Sequence, residues 1–133
     1  MLQGKNAIVT GSTSGIGLGI ARSLAAQGAN IMLNGFGDAA EIDRLCVELA
    51  GEFKVRTAFS GADMAKPDEI VRMVEGATRE FGSLDILVNN AGIQHTATVD
   101  DFPPEKWDAV IAINLSSNFH AMRAALPGMR RHN

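Results

Sequence analysis

The sequence has no tyrosine and only one cysteine and one tryptophan in 133 residues. Without tyrosine, no phenol group in these residues can transfer a proton. The single thiol, Cys46, cannot form an intrachain disulfide or a cysteine metal cluster, and we interpret it as structural. No group of His, Cys, Asp and Glu has metal-ligand spacing, so we expect no metal site.

Positive charge and long apolar runs are also scarce. Twelve Lys and Arg stand against 15 Asp and Glu, for a net charge of −3, which argues against nucleic acid as a partner. Apolar runs such as residues 84–88 are far shorter than the ~20 residues that cross a bilayer, and residues 1–5 do not resemble a signal peptide. We expect no membrane partner and a cytoplasmic location.

Apolar periodicity predicts alternating strands and helices. Short apolar runs predict strands at 6–10, 29–33, 55–59 and 84–88, and spacings of three and four residues predict helices between them. The last run is apolar almost throughout, which favours a central parallel strand covered on both faces. The alternation predicts one α/β domain over residues 1–133, with about four parallel strands in a doubly wound sheet.

Cap residues predict where the helices begin and end. The first helix should end at Gly28, and the second should begin at Asp38, which forms a capping box with Glu41. Pro67 should start the third helix and Gly82 should end it.

The final helix is predicted to be long and interrupted. It should begin after Pro103 and Pro104, break or kink near Asn114, and end around Pro127 and Gly128.

A glycine-rich turn joins the first strand to the first helix. Bare backbone at this place lets a pyrophosphate approach the N–H groups and the positive dipole of the helix N-terminus. The alternative is a tight turn whose glycines serve packing alone. The candidate binding residues of this turn are Gly11, Thr13, Ser14, Gly15, Ile16 and Gly17.

Three more polar positions follow later strands. Asn89-Asn90-Ala91-Gly92 comes after the fourth strand, Asp63 after the third, and Asn114 within the long helix. Taken singly, Asp63 could instead cap the next helix, and Asn114 could bond a carbonyl freed at a kink.

In this order, the Gly-x-x-x-Gly-x-Gly turn, Asp63, the Asn89 to Gly92 turn and Asn114 resemble the short-chain dehydrogenase/reductase family across the whole chain. The resemblance implies the N-terminal half of a Rossmann-type fold and hydride transfer with a nicotinamide cofactor. It implies that Asp63 holds the adenine and that Asn90, Ala91 and Gly92 lie under the nicotinamide ribose. It assigns Asn114 to the active site, holding a backbone distortion and a water in a proton relay.

The end of the second strand bears on the cofactor. NAD-specific members of the family usually carry an acidic residue there, where this chain has Gly35. No Lys or Arg lies at 34–37 or in the glycine turn to neutralise the 2′-phosphate of NADP, so NAD is favoured over NADP. Asp38 could reach the ribose, although helix capping is the favoured role. We expect Phe36 to wall the adenosine pocket.

Within the family, residues 33–38 and 91–96 are similar to those of bacterial members that oxidise D-3-hydroxybutyrate to acetoacetate. The similarity implies that Gln94 donates its amide to the carboxylate of this small-molecule substrate. The alternative is an exposed loop amide. We interpret His95 as facing solvent.

Family members place a catalytic Tyr-x-x-x-Lys pair after the next strand, beyond Asn133, so we expect these 133 residues alone to be inactive. A sheet that stops at 84–88 would leave that strand on an exposed edge and should associate. The family usually forms tetramers through the long helix, so residues 107–122 are expected at an interface. The alternatives are an NADPH-dependent 3-oxoacyl or acetoacetyl-CoA reductase and a non-catalytic nucleotide-binding or assembly module.

Overall fold

Four parallel strands form one sheet in the computed structural model, which describes residues 1–132. The strands are β1 (Asn6–Val9), β2 (Asn30–Asn34), β3 (Thr57–Ser60) and β4 (Ile86–Val88), in the order β3-β2-β1-β4. All three pairings are parallel, and helices connect the strands. The prediction of a doubly wound α/β sheet is confirmed. Asn133, where the predicted domain ends, lies outside the described residues.

The helices follow the predicted pattern. They are α1 (Gly15–Ala26), α2 (Ala39–Phe53), α3 (Pro67–Phe81), α4 (Pro104–Ile111) and α5 (Ser117–His132), with a π-helical segment at Ala112–Ser116 between the last two. Among residues 1–132, no helix is long and apolar enough to cross a membrane.

The predicted caps are largely present. Gly28 follows the end of α1 and donates its N–H to the Ala25 carbonyl, and Gly82 ends α3. The Asp38 carboxylate accepts the Glu41 N–H at 3.1 Å, which is one half of the predicted capping box.

Two sets of predicted boundaries were wrong. β2 and β3 begin later than expected, at Asn30 and Thr57, and β4 covers only the end of the 84–88 run. Apolar residues before each ladder enter the core without pairing, as Leu84 does. The last helix does not end near Pro127 but continues through it to His132. Packing of buried Ala121 and Ala125 holds α5 in place around the proline.

The core has two layers, one on each face of the sheet. Ile8 and Met32 pack toward α3 and α5, whereas Val9 and Leu33 pack toward α1 and α2. β1 is therefore buried on both faces. β4 is half-buried and pairs with β1 alone among residues 1–132, as expected for these residues taken by themselves, and its place as a central strand of a longer sheet stays a prediction.

Candidate functional site

Side chains at the glycines of the glycine-rich turn would prevent the backbone from taking its present path. Gly11 and Gly15 have φ of 61° and 60°, in the left-handed region that glycine adopts without strain. A Cβ on Gly17 would overlap the Gly11 carbonyl oxygen and lie 2.5 Å from Asn90 Nδ2. The first turn of α1 is thereby pressed against the turn that precedes it.

The N-terminus of α1 is open to a ligand. Ser14, Gly15 and Ile16 are exposed, and the Ser14 hydroxyl makes no capping hydrogen bond within residues 1–132. The first turn of α1 contains no acidic residue. Free N–H groups and an uncompensated helix dipole favour an anion at this position.

Asn34, at the end of β2, connects three segments. Its Oδ1 accepts the Gly11 N–H at 3.0 Å, and its Nδ2 donates to the Ser60 and Ala62 carbonyls at 3.0 and 3.1 Å. The buried Ser12 hydroxyl accepts the Asn34 N–H at 3.0 Å. These contacts fix the glycine turn relative to β2 and to the segment that leads to Asp63.

The Asn89 to Gly92 turn is bonded to the glycine turn. Asn90 Nδ2 donates to the Thr10 and Gly11 carbonyls, both at 3.0 Å, and Thr10 Oγ1 accepts the Asn90 and Ala91 N–H groups at 2.9 Å. A Cβ on Gly11 would lie 2.9 Å from Ala91 Cα. The structure therefore brings these two predicted motifs into direct contact. The Asn89 Oδ1 is buried without a hydrogen-bond partner in residues 1–132.

A groove of about 250 Å³ opens beyond the end of β2. Phe36 forms part of its wall and is 72% exposed, and Asp43 is its one charged lining residue. Asp63 does not line this groove: its Oδ1 accepts the Ala65 N–H at 2.9 Å. This contact lies before α3, whose N-cap is Lys66, so it is not the helix cap that the alternative named, and the adenine contact of Asp63 stays a prediction.

Asn114 lies in the π-helical segment, where a break was predicted. Its Oδ1 accepts the Ile93 N–H and its Nδ2 donates to the Ile93 carbonyl, both at 2.8 Å. The alternative that Asn114 bonds a freed carbonyl at the kink was wrong, because other side chains do so. Ser117 Oγ donates to the Ile113 carbonyl at 2.6 Å, and Asn118 Nδ2 donates to the Asn114 carbonyl at 3.2 Å.

Gln94 and His95 follow directly in the same loop, and both are exposed. The His95 ring meets Phe102 edge to face with centroids 5.2 Å apart, and Phe102 meets Trp107 at 6.2 Å. His95 is therefore exposed as expected, but it also has an aromatic partner that the sequence analysis missed.

Cys46, on α2, is half-buried. Burial raises the pKa of its thiol, and the nearby Asp43 carboxylate raises it further, while a hydrogen bond with Thr57 opposes the shift. A thiol held in its neutral form is a poor nucleophile, which agrees with a structural role.

Sequence analysis also missed Thr10, Ser12 and Asn34, which are all buried. The signal available was a polar residue at the carboxyl end of an apolar strand, where ligands of parallel sheets bind.

Residues 5–133 match the family described as short chain dehydrogenase. The chain belongs to this family. The predicted membership of the short-chain dehydrogenase/reductase family is confirmed over nearly the whole chain. This short-chain dehydrogenase forms its candidate site by hydrogen bonds between the glycine turn and the segment after β4.

Several relatives of this short-chain dehydrogenase have described activities. It is 61% identical over 131 residues to D-beta-hydroxybutyrate dehydrogenase of Cupriavidus necator, covering 98% of this chain and 50% of that protein. The enzyme of that name from Rhizobium meliloti is 53% identical over 127 residues, which are 96% of this chain and 49% of that protein. A 3-oxoacyl-[acyl-carrier-protein] reductase of Staphylococcus aureus is 36% identical over 96% of this chain and 51% of that protein. The chain spans about half the length of these curated relatives.

Solved structures share the fold. L-sorbose reductase from Gluconobacter frateurii, complexed with NADPH and L-sorbose, has a TM-score of 0.92 at 35% identity, covering 98% of this chain and 49% of that one. A short chain dehydrogenase from Burkholderia cenocepacia in complex with NADP has a TM-score of 0.90 at 35% identity, covering 96% and 52%.

Proposed function

We propose that the chain is the nucleotide-binding part of an NAD-dependent D-3-hydroxybutyrate dehydrogenase. One observation carries the proposal: identity to two D-beta-hydroxybutyrate dehydrogenases is 61% and 53%, against 36% for the 3-oxoacyl reductase. In this reaction the C3 hydroxyl of the substrate becomes the ketone of acetoacetate, with loss of a hydride and a proton.

The residues of the glycine turn fit a dinucleotide. The open N-terminus of α1, at Ser14 to Ile16, would bind the pyrophosphate through backbone N–H groups. Asn90, Ala91 and Gly92 would support the nicotinamide ribose from the adjoining turn. A nicotinamide held there would supply the acceptor for the hydride of the substrate carbon.

We assign NAD rather than NADP to this site on the basis of charge. Asp43 is the charged residue of the groove beyond β2, and Asp38 precedes it at the start of α2. The two carboxylates would repel a 2′-phosphate, and no cation of the groove would offset that repulsion. A Cβ on Gly35 would lie 2.6 Å from Thr13 Oγ1, so the usual acidic selector has no room at this position.

Gln94 is the proposed partner of the substrate carboxylate, and Asn114 is the proposed active-site asparagine. The paired contacts between Asn114 and Ile93 support both roles, because they fix the backbone next to Gln94. The proton of the hydroxyl is assigned by family resemblance to a Tyr-x-x-x-Lys pair outside these residues, since the chain contains no tyrosine.

We also propose a homotetramer in the cytoplasm. The interface would be the α5 stripe, defined here as Leu115 of the π-helical segment with Phe119, Met122 and Leu126 of α5, whose side chains are 43–64% exposed. Apolar residues in a contiguous exposed row mark contact surfaces.

The test is oxidation of D-3-hydroxybutyrate by the protein expressed at its natural length, followed as NADH absorbance. We expect turnover with NAD and D-3-hydroxybutyrate, with the L-enantiomer and NADP as controls. Faster reduction of acetoacetyl-CoA or a 3-oxoacyl thioester with NADPH would select the reductase instead. Nucleotide binding without turnover of any of these would select a non-catalytic module.

A further inference from the structure

The connection between β4 and α4, residues 89–103, has no helix or strand. Connections longer than about 12–15 residues without secondary structure are uncommon in compact domains and are usually functional. Gln94 lies in this connection and is exposed. A side chain on such a segment can select a ligand only if something fixes its backbone.

The residue before Gln94 is fixed by an amide pair. Both backbone groups of Ile93 bond to the Asn114 side chain at 2.8 Å. This contact holds the connection against the π-helical segment.

The residue after Gln94 is fixed by ring contacts. His95 meets the half-buried Phe102 at 5.2 Å with an interplanar angle of 77°, and Phe102 meets Trp107 of α4 at 6.2 Å and 84°. Edge-to-face geometry at these distances is the favourable arrangement of aromatic pairs. The rings therefore tie the segment to α4.

We propose that Phe102 is a positioning residue for Gln94, acting through the His95 ring that it meets edge to face. The inference rests on the proposed function, in which Gln94 binds the substrate carboxylate. With Ile93 and His95 both held, the backbone of Gln94 between them is restrained from both sides. Without the ring of Phe102, the segment is held at one end only, and the apparent substrate affinity falls by the fraction of molecules in the competent conformation.

The contacts that fix the cofactor turn are separate from these ring contacts. Asn90 and Ala91 bond to Thr10 and Gly11, not to the ring cluster. Loss of the Phe102 ring should therefore change the KM for the hydroxy acid and leave the KM for NAD unchanged.

Phe102→Ala and His95→Ala, made in the protein at its natural length, test the inference. We expect the KM for D-3-hydroxybutyrate to rise about two- to tenfold, with kcat and the KM for NAD unchanged. Phe102→Tyr, which keeps the ring, should restore the KM. The matched control is His120→Ala, which removes a histidine from a similar edge-to-face pair with Phe119, also at 5.2 Å.

Amide hydrogen exchange at residues 93–96 provides a readout that needs no turnover. Faster exchange in Phe102→Ala and His95→Ala, but not in His120→Ala, supports the positioning role. If the unaltered protein fails to oxidise the hydroxy acid, the proposed function is wrong, and exchange alone decides whether Phe102 positions the segment. If amide exchange at residues 93–96 in Phe102→Ala equals that in His120→Ala, the inference is overturned. An unchanged KM for D-3-hydroxybutyrate in an active Phe102→Ala enzyme overturns it as well.

Discussion

Gly17 allows α1 to approach the glycine turn, and alanine at this position should disrupt the nucleotide site. In Gly17→Ala, the new Cβ would overlap the Gly11 carbonyl oxygen and crowd Asn90 Nδ2, so the turn must move. We expect NAD affinity, measured by calorimetry, to fall by about tenfold or more. Gly19→Ala on the same helix is the control, because its Cβ meets nothing within 4 Å. It should keep NAD affinity and stabilise the fold by about 0.5–1 kcal/mol. Equal affinity in the two variants would contradict this account.

The thiol of Cys46 should react with a pH dependence that reports its burial. Burial and the Asp43 charge raise the pKa of its thiol, so the folded protein holds this proton to higher pH than the unfolded chain. Stability from this group is therefore complete below the unfolded pKa and is lost as pH rises through the folded one. We expect alkylation of Cys46 by iodoacetamide to reach half its maximal rate at a higher pH than for a cysteine in a model peptide. A midpoint at or below the peptide value would contradict the burial argument.

The end of β2 shows how one side chain holds several elements together. Asn34→Asp replaces the Nδ2 donor by an oxygen that faces the Ser60 and Ala62 carbonyls in a buried site. We expect the free energy of unfolding, measured in urea, to fall by about 3 kcal/mol at neutral pH. The deficit should shrink in acid, because a protonated carboxyl can still donate once. Gln3→Glu, at an exposed amide, is the control and should change little. A deficit that is equal at both pH values would argue against a buried charge.

The sequence predicts the order of elements well because period and caps are local signals. Pro67 and Gly82 mark α3 correctly, and the break near Asn114 is present. Pro127 misleads because tertiary packing of α5 on α3 outweighs the local cost of proline. Asn34 and Phe102 were missed for the same reason, since their partners, such as Gly11 and His95, are set by the fold and not by local spacing.

At the scale of the whole molecule, the α5 stripe tests the proposed assembly. Phe119 is 58% exposed at the middle of the stripe, and a charge there would lie against apolar neighbours in an interface. We expect Phe119→Glu to lower the molar mass of the natural-length protein, measured by light scattering after size exclusion, from that of a tetramer to that of smaller species. Val47→Glu is the matched control, because Val47 is 71% exposed on α2, outside the stripe. Its mass should equal that of the unaltered protein. A tetramer that survives Phe119→Glu would place the interface on a surface other than the α5 stripe.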